Sequence, residues 1–302
     1  MSSTAITDDH DDKASVRREW TRAAAGWQKW FETLEAEDAG RAVTRVLLEQ
    51  ADVRPGDDVL DVGSGYGEPG LSAATAVGPD GHVTCLDISG DMLAFAEARA
   101  RAAGLSNVSF VEADIDGLEL APASLDVVLS RATMMYASNP LETLRRLHTA
   151  LRPGGRLAVA VWATPDRVAF ATPVAVMIEA LGIEPPAGGP GPFALGSDGA
   201  LRDLVREAGF TDVVAATALA VYQTATAEAC TQWIRDVAPP IAELIADQPE
   251  SVQQDVWDRV TRSWAPFQGP GGAVRLPCTA ICVSARKGQA DDPRGGGTDS
   301  PA

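Results

Sequence analysis

Short apolar runs alternate with amphipathic stretches along most of the chain, and this alternation predicts the fold. VLDV (59–62), bounded by Gly-Asp and by glycines, reads as a buried strand. HVTCLDI (82–88), NVSFVEAD (107–114), LDVVLS (125–130) and RLAVAVW (156–162) read as four more. Helical patterns separate them: 70–77, then DMLAFAEARARAAG closed at Gly104, then PLETLRRLHTALRPGG. In the last of these Leu141, Leu144, Leu147 and Leu151 recur at spacings of three and four, so one face is apolar, and Pro153-Gly154-Gly155 ends it. Strands that are apolar throughout and alternate with helices indicate a parallel sheet covered on both faces.

After Trp162 the rhythm breaks. Residues 163–197 hold a helical stretch and then PPAGGPGPFALGS, whose prolines and glycines exclude a helix or a central strand. LRDLVREAGF (201–210) reads as a helix closed by Gly209, VVAATALAVYQ (213–223) as a strand, 226–265 as helical, and VRLPCTAICVSAR (274–286) as the last strand. Upstream, 14–52 reads as two helices carrying Trp20, Trp27, Trp30 and Phe31. Residues 1–13 are small, polar and acidic, and 287–302 are rich in Gly, Pro and Asp; both bury too little to order and are expected to be disordered tails around one domain, 14–286.

Composition narrows the partners. Hydrophobic residues make up 45% of the 302 and charged residues 22%, enough for a sizeable core. The formal net charge of -17, with no run rich in Lys or Arg, repels nucleic acid and anionic lipid, so neither is an expected partner. No apolar stretch reaches the roughly 18 residues that span a bilayer. The N-terminus has neither a basic nor an apolar signal region, so a cytoplasmic protein, monomer or homodimer, is expected. Cys85, Cys230, Cys278 and Cys282 form no C-x-x-C pair and His10, His82 and His148 are scattered, so no metal site is expected.

The informative block is VLDVGSGYGEPG (59–70). A strand runs into Gly63, Gly65 and Gly67 at alternate positions and then into a helix. Glycines let a ligand lie against bare backbone, and the helix start offers free N–H groups. Gly65-Tyr66-Gly67-Glu68-Pro69-Gly70 also fits the G-x-G-x-x-G of dinucleotide-binding proteins, a weak match by itself that keeps an NAD-dependent oxidoreductase in view. Asp61, two residues before Gly63, suits a ligand bearing an ammonium better than one bearing a pyrophosphate. Asp87 ends the second strand, where a carboxylate accepts ribose hydroxyls, a feature NAD enzymes share. Asp114 ends the third, where an acid can accept an adenine amino group.

Taken in order, VLDVGSGYGEPGL, LDISGDMLAFAEARA, NVSFVEAD, LDVVLSRATMMY and LRPGGRLAVAVW resemble the class I S-adenosylmethionine-dependent methyltransferases over about residues 55–162. The nearest branch is that of the ubiquinone/menaquinone-type small-molecule C-methyltransferases. The resemblance implies a Rossmann-like α/β fold: a seven-stranded sheet with strand seven antiparallel and helices on both faces; the helical segments at 14–52, 163–197 and 226–270, rich in aromatic residues, are expected to form a lid over it. It implies S-adenosylmethionine as cofactor. Asp61 and the backbone at Gly63 and Gly65 would hold the methionine moiety and Asp87 the ribose. Ile88 and Met92 would lie beside the adenine, Ala113, Asp114 and Ile115 would frame it, and Ser130 and Arg131 would border the methionine end. Tyr66 departs from the commoner small residue of that loop.

The acceptor side is read from aromatic residues. Six of the seven tryptophans lie outside the core segment, which suggests a small apolar or aromatic acceptor, in secondary or quinone-like metabolism. Trp27, Trp30, Met135, Tyr136, Phe193 and Trp233 are its candidate contacts, and Tyr136 can orient or deprotonate an acceptor hydroxyl. No histidine lies near the expected site, which favours a carbon acceptor over nitrogen or oxygen. A cofactor-binding protein that catalyses a non-methylating step such as cyclisation would carry the same loop.

Overall fold

The structure is a computed structural model and describes residues 9–182 and 189–289. Seven strands form one sheet: β1 (Asp58–Val62), β2 (His82–Asp87), β3 (Val108–Glu112), β4 (Leu125–Arg131), β5 (Leu151–Trp162), β6 (Thr211–Thr224) and β7 (Val274–Arg286). Their order is β3-β2-β1-β4-β5-β7-β6. β1 to β5 pair in parallel, and β7 runs antiparallel between β5 and β6. The insertion of an antiparallel strand there departs from the all-parallel order 3-2-1-4-5-6 of dinucleotide-binding sheets, which removes the support for the NAD reading.

Eleven helices in the described residues surround the sheet. They are α1 (Asp9–Lys29), α2 (Phe31–Leu34), α3 (Gly40–Ala51), α4 (Gly70–Val77), α5 (Gly90–Ala102), α6 (Pro140–Ala150), α7 (Thr172–Leu181), α8 (Ala200–Glu207), α9 (Ala227–Val237), α10 (Pro239–Glu243) and α11 (Glu250–Ser263). In β1, β4 and β5 successive residues are buried, so both faces of the central sheet are covered. α5 starts at Ser89, whose Oγ accepts the Met92 N–H; α6 starts at Asn139, whose side chain accepts the Glu142 N–H.

Three expectations about boundaries shift. α1 begins at Asp9, inside the segment 1–13 expected to be disordered; residues 1–8 lie outside the described residues, as do 290–302 of the other expected tail. The segment 14–52 holds three helices rather than two. α6 stops at Ala150, and Leu151 to Gly155, expected to be the helix end, open β5. Leu151 pairs with Leu125 across a register shift, so its burial comes from the sheet and not from the apolar face of α6. Of the loop 185–197, residues 185–188 lie outside the described residues and the remainder makes turns.

α1 and α9 form a seam away from the sheet. Trp27 Nε1 donates to the Val237 carbonyl (3.0 Å), and Asp236 Oδ2 accepts from both Trp30 Nε1 (2.8 Å) and Lys29 Nζ (2.6 Å). A side chain at Gly26 would collide with the Asp236 carbonyl, so the small residue sets how closely the two helices approach.

Candidate active site at the strand ends

β1, β2 and β4 run in parallel, and their C-terminal ends bring Asp61, Asp87 and Arg131 to the glycine loop. Gly63, Gly65 and Gly67 all have positive φ. Two of them do different work. At Gly63 a side chain would collide with Thr133, whose hydroxyl donates to the Gly63 carbonyl (3.1 Å). At Gly65 nothing lies within 4 Å of where a Cβ would stand, so bare backbone faces open space.

Asp61 is fully buried (0% exposed). Its Oδ2 accepts the N–H of Gly70, the first residue of α4, at 2.7 Å, while Oδ1 has no partner among the described residues. Burial pushes its pKa up to about 7, against the pull of the Gly70 N–H and the Arg131 charge. A buried carboxylate with one empty oxygen is poised to receive a cation or an N–H donor.

Asp87 accepts the Gly65 N–H on Oδ2 (2.8 Å) and the Ser89 N–H on Oδ1 (2.9 Å). Burial raises its pKa, and the N–H groups of Ser89, Gly65 and Ile88 work in the other direction. Each oxygen keeps a second lone pair, so Asp87 can shape the loop and still accept a hydroxyl. The Ala113 N–H donates to the Asp87 carbonyl (2.9 Å), which brings Ala113 beside Asp87 and Ile88. Met92 is buried below them. Asp114 caps the turn Ile115–Gly117, accepting the Asp116 N–H at 3.0 Å.

The two side chains expected to border the methionine end both hydrogen-bond within the protein. Ser130 Oγ donates to the Val62 carbonyl (3.0 Å), a staple between β4 and the end of β1. Arg131 is turned to the N-terminal helices: it donates to the Gly40 carbonyl (2.8 Å), Thr44 Oγ1 (2.9 Å), Glu35 Oε1 (2.7 Å) and the Tyr66 hydroxyl (2.5 Å). Tyr66 in turn donates to Glu35 Oε1 (2.5 Å). Burial alone would lower the Arg131 pKa; the Glu35 carboxylate overrides it and keeps the guanidinium charged. Arg131 therefore ties α2 and α3 to the glycine loop. Glu35 and Thr133 were invisible to sequence reasoning, because Glu35 lies 96 positions from Arg131 and no local pattern marks it.

Aromatic rings close over this edge in two groups. Tyr66 packs on Trp27 (5.5 Å between centroids) and Phe31 (5.7 Å), Trp27 on Trp20 (6.0 Å), and Trp20 on Tyr136 (5.5 Å). Phe193 stacks on Phe170 (6.1 Å), which meets Trp162 (5.1 Å), then Tyr222 (6.2 Å), then Trp233 (5.3 Å). The Met135 carbonyl accepts the Gly191 N–H (3.0 Å), which joins the Phe193 segment to the end of β4. Trp233 is buried, and its Nε1 has no partner among the described residues. One expectation is corrected: Trp30 belongs to neither group, since its indole is held by Asp236 at the α1–α9 seam. Burial raises the Tyr136 pKa, which keeps its phenol protonated.

Comparison with known proteins agrees with this geometry. A family described as "Methyltransferase domain" matches residues 54–172. An uncharacterised protein of Mycobacterium tuberculosis is 30% identical over 210 residues, 68% of this chain and 74% of that one. Nocamycin O-methyltransferase of Saccharothrix syringae is 33% identical over 57% of this chain and 66% of its own. The ubiquinone/menaquinone biosynthesis C-methyltransferase UbiE of Ectopseudomonas mendocina is 35% identical over 40% and 48%. The chain covers less than half the length of the first curated relatives it matches: 37%, 28% and 48%. Two solved structures share the fold. The [4+2]-cyclase SpnF has a TM-score of 0.52 at 22% identity, covering 83% of this chain and 82% of that one. A phosphoethanolamine N-methyltransferase 2 of Haemonchus contortus in complex with S-adenosyl-L-methionine has a TM-score of 0.56 at 16% identity, covering 94% and 61%.

Proposed function

The chain belongs to the class I S-adenosylmethionine-dependent methyltransferases, and from that membership we propose that it methylates a small, apolar or aromatic acceptor. One observation carries the cofactor reading: the buried Asp61 carboxylate has an unpartnered oxygen beside a glycine loop whose Gly65 backbone faces open space. These residues fit the group. Ionised Asp61 would hold the ammonium of the methionine moiety, and the Gly63–Gly65 backbone would lie against it. Asp87 would accept a ribose hydroxyl, with Ile88, Met92, Ala113, Asp114 and Ile115 around the adenine.

When bound, the cofactor supplies a methyl carbon activated by its sulfonium. The protein's own part is alignment and exclusion of water. The aromatic groups around Tyr66 and Tyr222 would supply apolar contacts to the acceptor, which suits a planar or isoprenoid-like molecule. The phenols of Tyr66, Tyr136 and Tyr222 are all pushed upward by burial, so none is a ready base. That favours an acceptor that needs little deprotonation, such as the carbon of an electron-rich ring. Likeness to UbiE and to nocamycin O-methyltransferase supports small-molecule metabolism as the setting.

The test is transfer of ¹³C-labelled methyl from S-adenosylmethionine to a panel of hydroquinones and phenols, read by product mass and by the NMR shift of the labelled carbon. A gain of one CH₂ on carbon is expected. Label on oxygen alone would overturn the carbon assignment, and product formed without any mass gain would favour the cyclisation reading instead.

A further inference from the structure

An indole N–H donates a hydrogen bond and cannot accept one, so a tryptophan taken out of water needs an acceptor atom within reach. Trp27 has the Val237 carbonyl, Trp30 has Asp236 Oδ2, and the buried Trp264 has Thr231 Oγ1 at 3.0 Å. Trp233 differs. It is 3% exposed, and its Nε1 is buried with no partner among the described residues. The ring beside it, 5.3 Å away, is that of the buried Tyr222, whose hydroxyl also makes no hydrogen bond among the described residues. An unpaired buried donor costs stability in the free protein, and a bound acceptor atom removes that cost.

The strand registers put this pair on the acceptor side of the site. Trp162, the last residue of β5, pairs with Ala280 of β7, and Ala280 pairs with Ala218 of β6. β7 is antiparallel to both neighbours, so β6 runs parallel to β5, and Tyr222 lies four residues beyond the level at which β5 ends. That is the end of the sheet that carries Arg131, which pairs with Ala160, two residues before Trp162. Ala218, Ala220 and Tyr222 alternate as buried residues of β6, so Tyr222 lies on the inward face, under the Trp233 ring of α9. The Val221 N–H donates to the Asp38 carbonyl (2.6 Å), which fixes this end of β6 against the segment between α2 and α3.

Given the methyl transfer proposed above, on which this rests, we propose that Trp233 Nε1–H and the Tyr222 hydroxyl bind an oxygen of the methyl acceptor, so that the acceptor is a planar ring bearing a carbonyl or phenolic oxygen. Burial pushes the Tyr222 pKa upward, so its phenol remains a donor like the indole. The rings next to the pair, Trp162 and Phe170, offer apolar surface, so the two donors supply the polar recognition. Donors aimed at that oxygen also favour negative charge on it, which raises electron density at the ring carbons conjugated to it.

The experiment uses the full chain saturated with S-adenosylhomocysteine, together with Trp233→Phe and Tyr222→Phe, each of which keeps a ring and deletes a donor. The probes are pairs that differ in the oxygen: 2-naphthol with naphthalene, and 1-tetralone with tetralin. By equilibrium dialysis, the affinity ratio of oxygen-bearing to bare ring should fall roughly three- to tenfold in each variant, with S-adenosylhomocysteine affinity unchanged. In ¹⁵N–¹H spectra the indole signal lost in Trp233→Phe identifies Nε1–H. That signal should move downfield with 2-naphthol or 1-tetralone but not with the bare rings, while the Trp264 signal, already bonded to Thr231, stays in place. No binding of either oxygen-bearing probe by the native chain would overturn the proposal. So would an affinity ratio that survives both variants, or a Trp233 signal that neither probe moves, which would assign the donor to a trapped water. Failure of the methyltransferase reading shows separately, as a native chain that binds no S-adenosylhomocysteine.

Discussion

Replacing Asp61 with asparagine should stabilise the ligand-free protein while destroying cofactor binding. The Asp61 carboxylate is fully buried, and its pKa is raised from the ordinary 3.8 to about 7. The folded state therefore binds the proton more tightly than the unfolded state. Stability is fully present below the unfolded value and is lost as pH rises through about 7. Three pH units correspond to about 4 kcal/mol at pH 8 and about 1.5 kcal/mol at pH 5. Asparagine keeps an oxygen for the Gly70 N–H and carries no charge. With an unfolding entropy of about 2.1 cal/mol/K per residue, Asp61→Asn should melt roughly 6 °C higher at pH 8, with the advantage shrinking toward pH 5. Cofactor binding demands the ionised form. Native affinity for S-adenosylhomocysteine should tighten about tenfold from pH 6 to pH 8 and then level, and the variant should bind weakly with no such slope. Calorimetric melting and titration across this range check both. A variant less stable than the native chain at pH 8, or an advantage that ignores pH, would mean that Asp61 does not carry a raised pKa in the folded state.

Other substitutions probe the rest of the site. Gly65→Ala places a methyl in the open space and strains a left-handed φ, so S-adenosylhomocysteine affinity should fall at least tenfold with about 1–2 kcal/mol lost in urea denaturation. Gly63→Ala meets Thr133 and should be the more destabilising of the two in the same assay. Arg131→Met leaves Glu35 buried without its cation and should cost about 3–5 kcal/mol, whereas the double variant with Glu35→Leu should recover much of it. Gly26→Val forces α1 from α9 and should increase proteolytic cleavage within α1.

Much of this fold was legible because strands buried on both faces write themselves as unbroken apolar runs. VLDV, LDVVLS and RLAVAVW are each such a run, and each begins or ends within a residue or so of its observed strand, except where Leu151 to Gly155 join β5. There, Pro153-Gly154-Gly155 reads as a helix stop, but α6 has already ended at Ala150 and these residues lie in β5; that the strand opens so early depends on Leu151 pairing with Leu125, a contact sequence does not display. Asp61, Gly63, Gly65 and Asp87 stood out because strand, glycine turn and helix are consecutive in the chain. Arg131 did not declare its role, because its partners Glu35, Gly40, Thr44 and Tyr66 come from three other segments. The tryptophans illustrate the same limit. Trp27, near the end of α1, and Trp30, just past it, are three apart in the chain, yet Asp236 holds the second and Tyr66 packs on the first.

The most direct test of the central claim is calorimetric titration of the native chain and Asp87→Ala with S-adenosylhomocysteine and, separately, with NAD. Tight one-site binding of S-adenosylhomocysteine, its loss in the variant, and no heat with NAD are expected. Binding of NAD, or no binding of S-adenosylhomocysteine by the native chain, would contradict it.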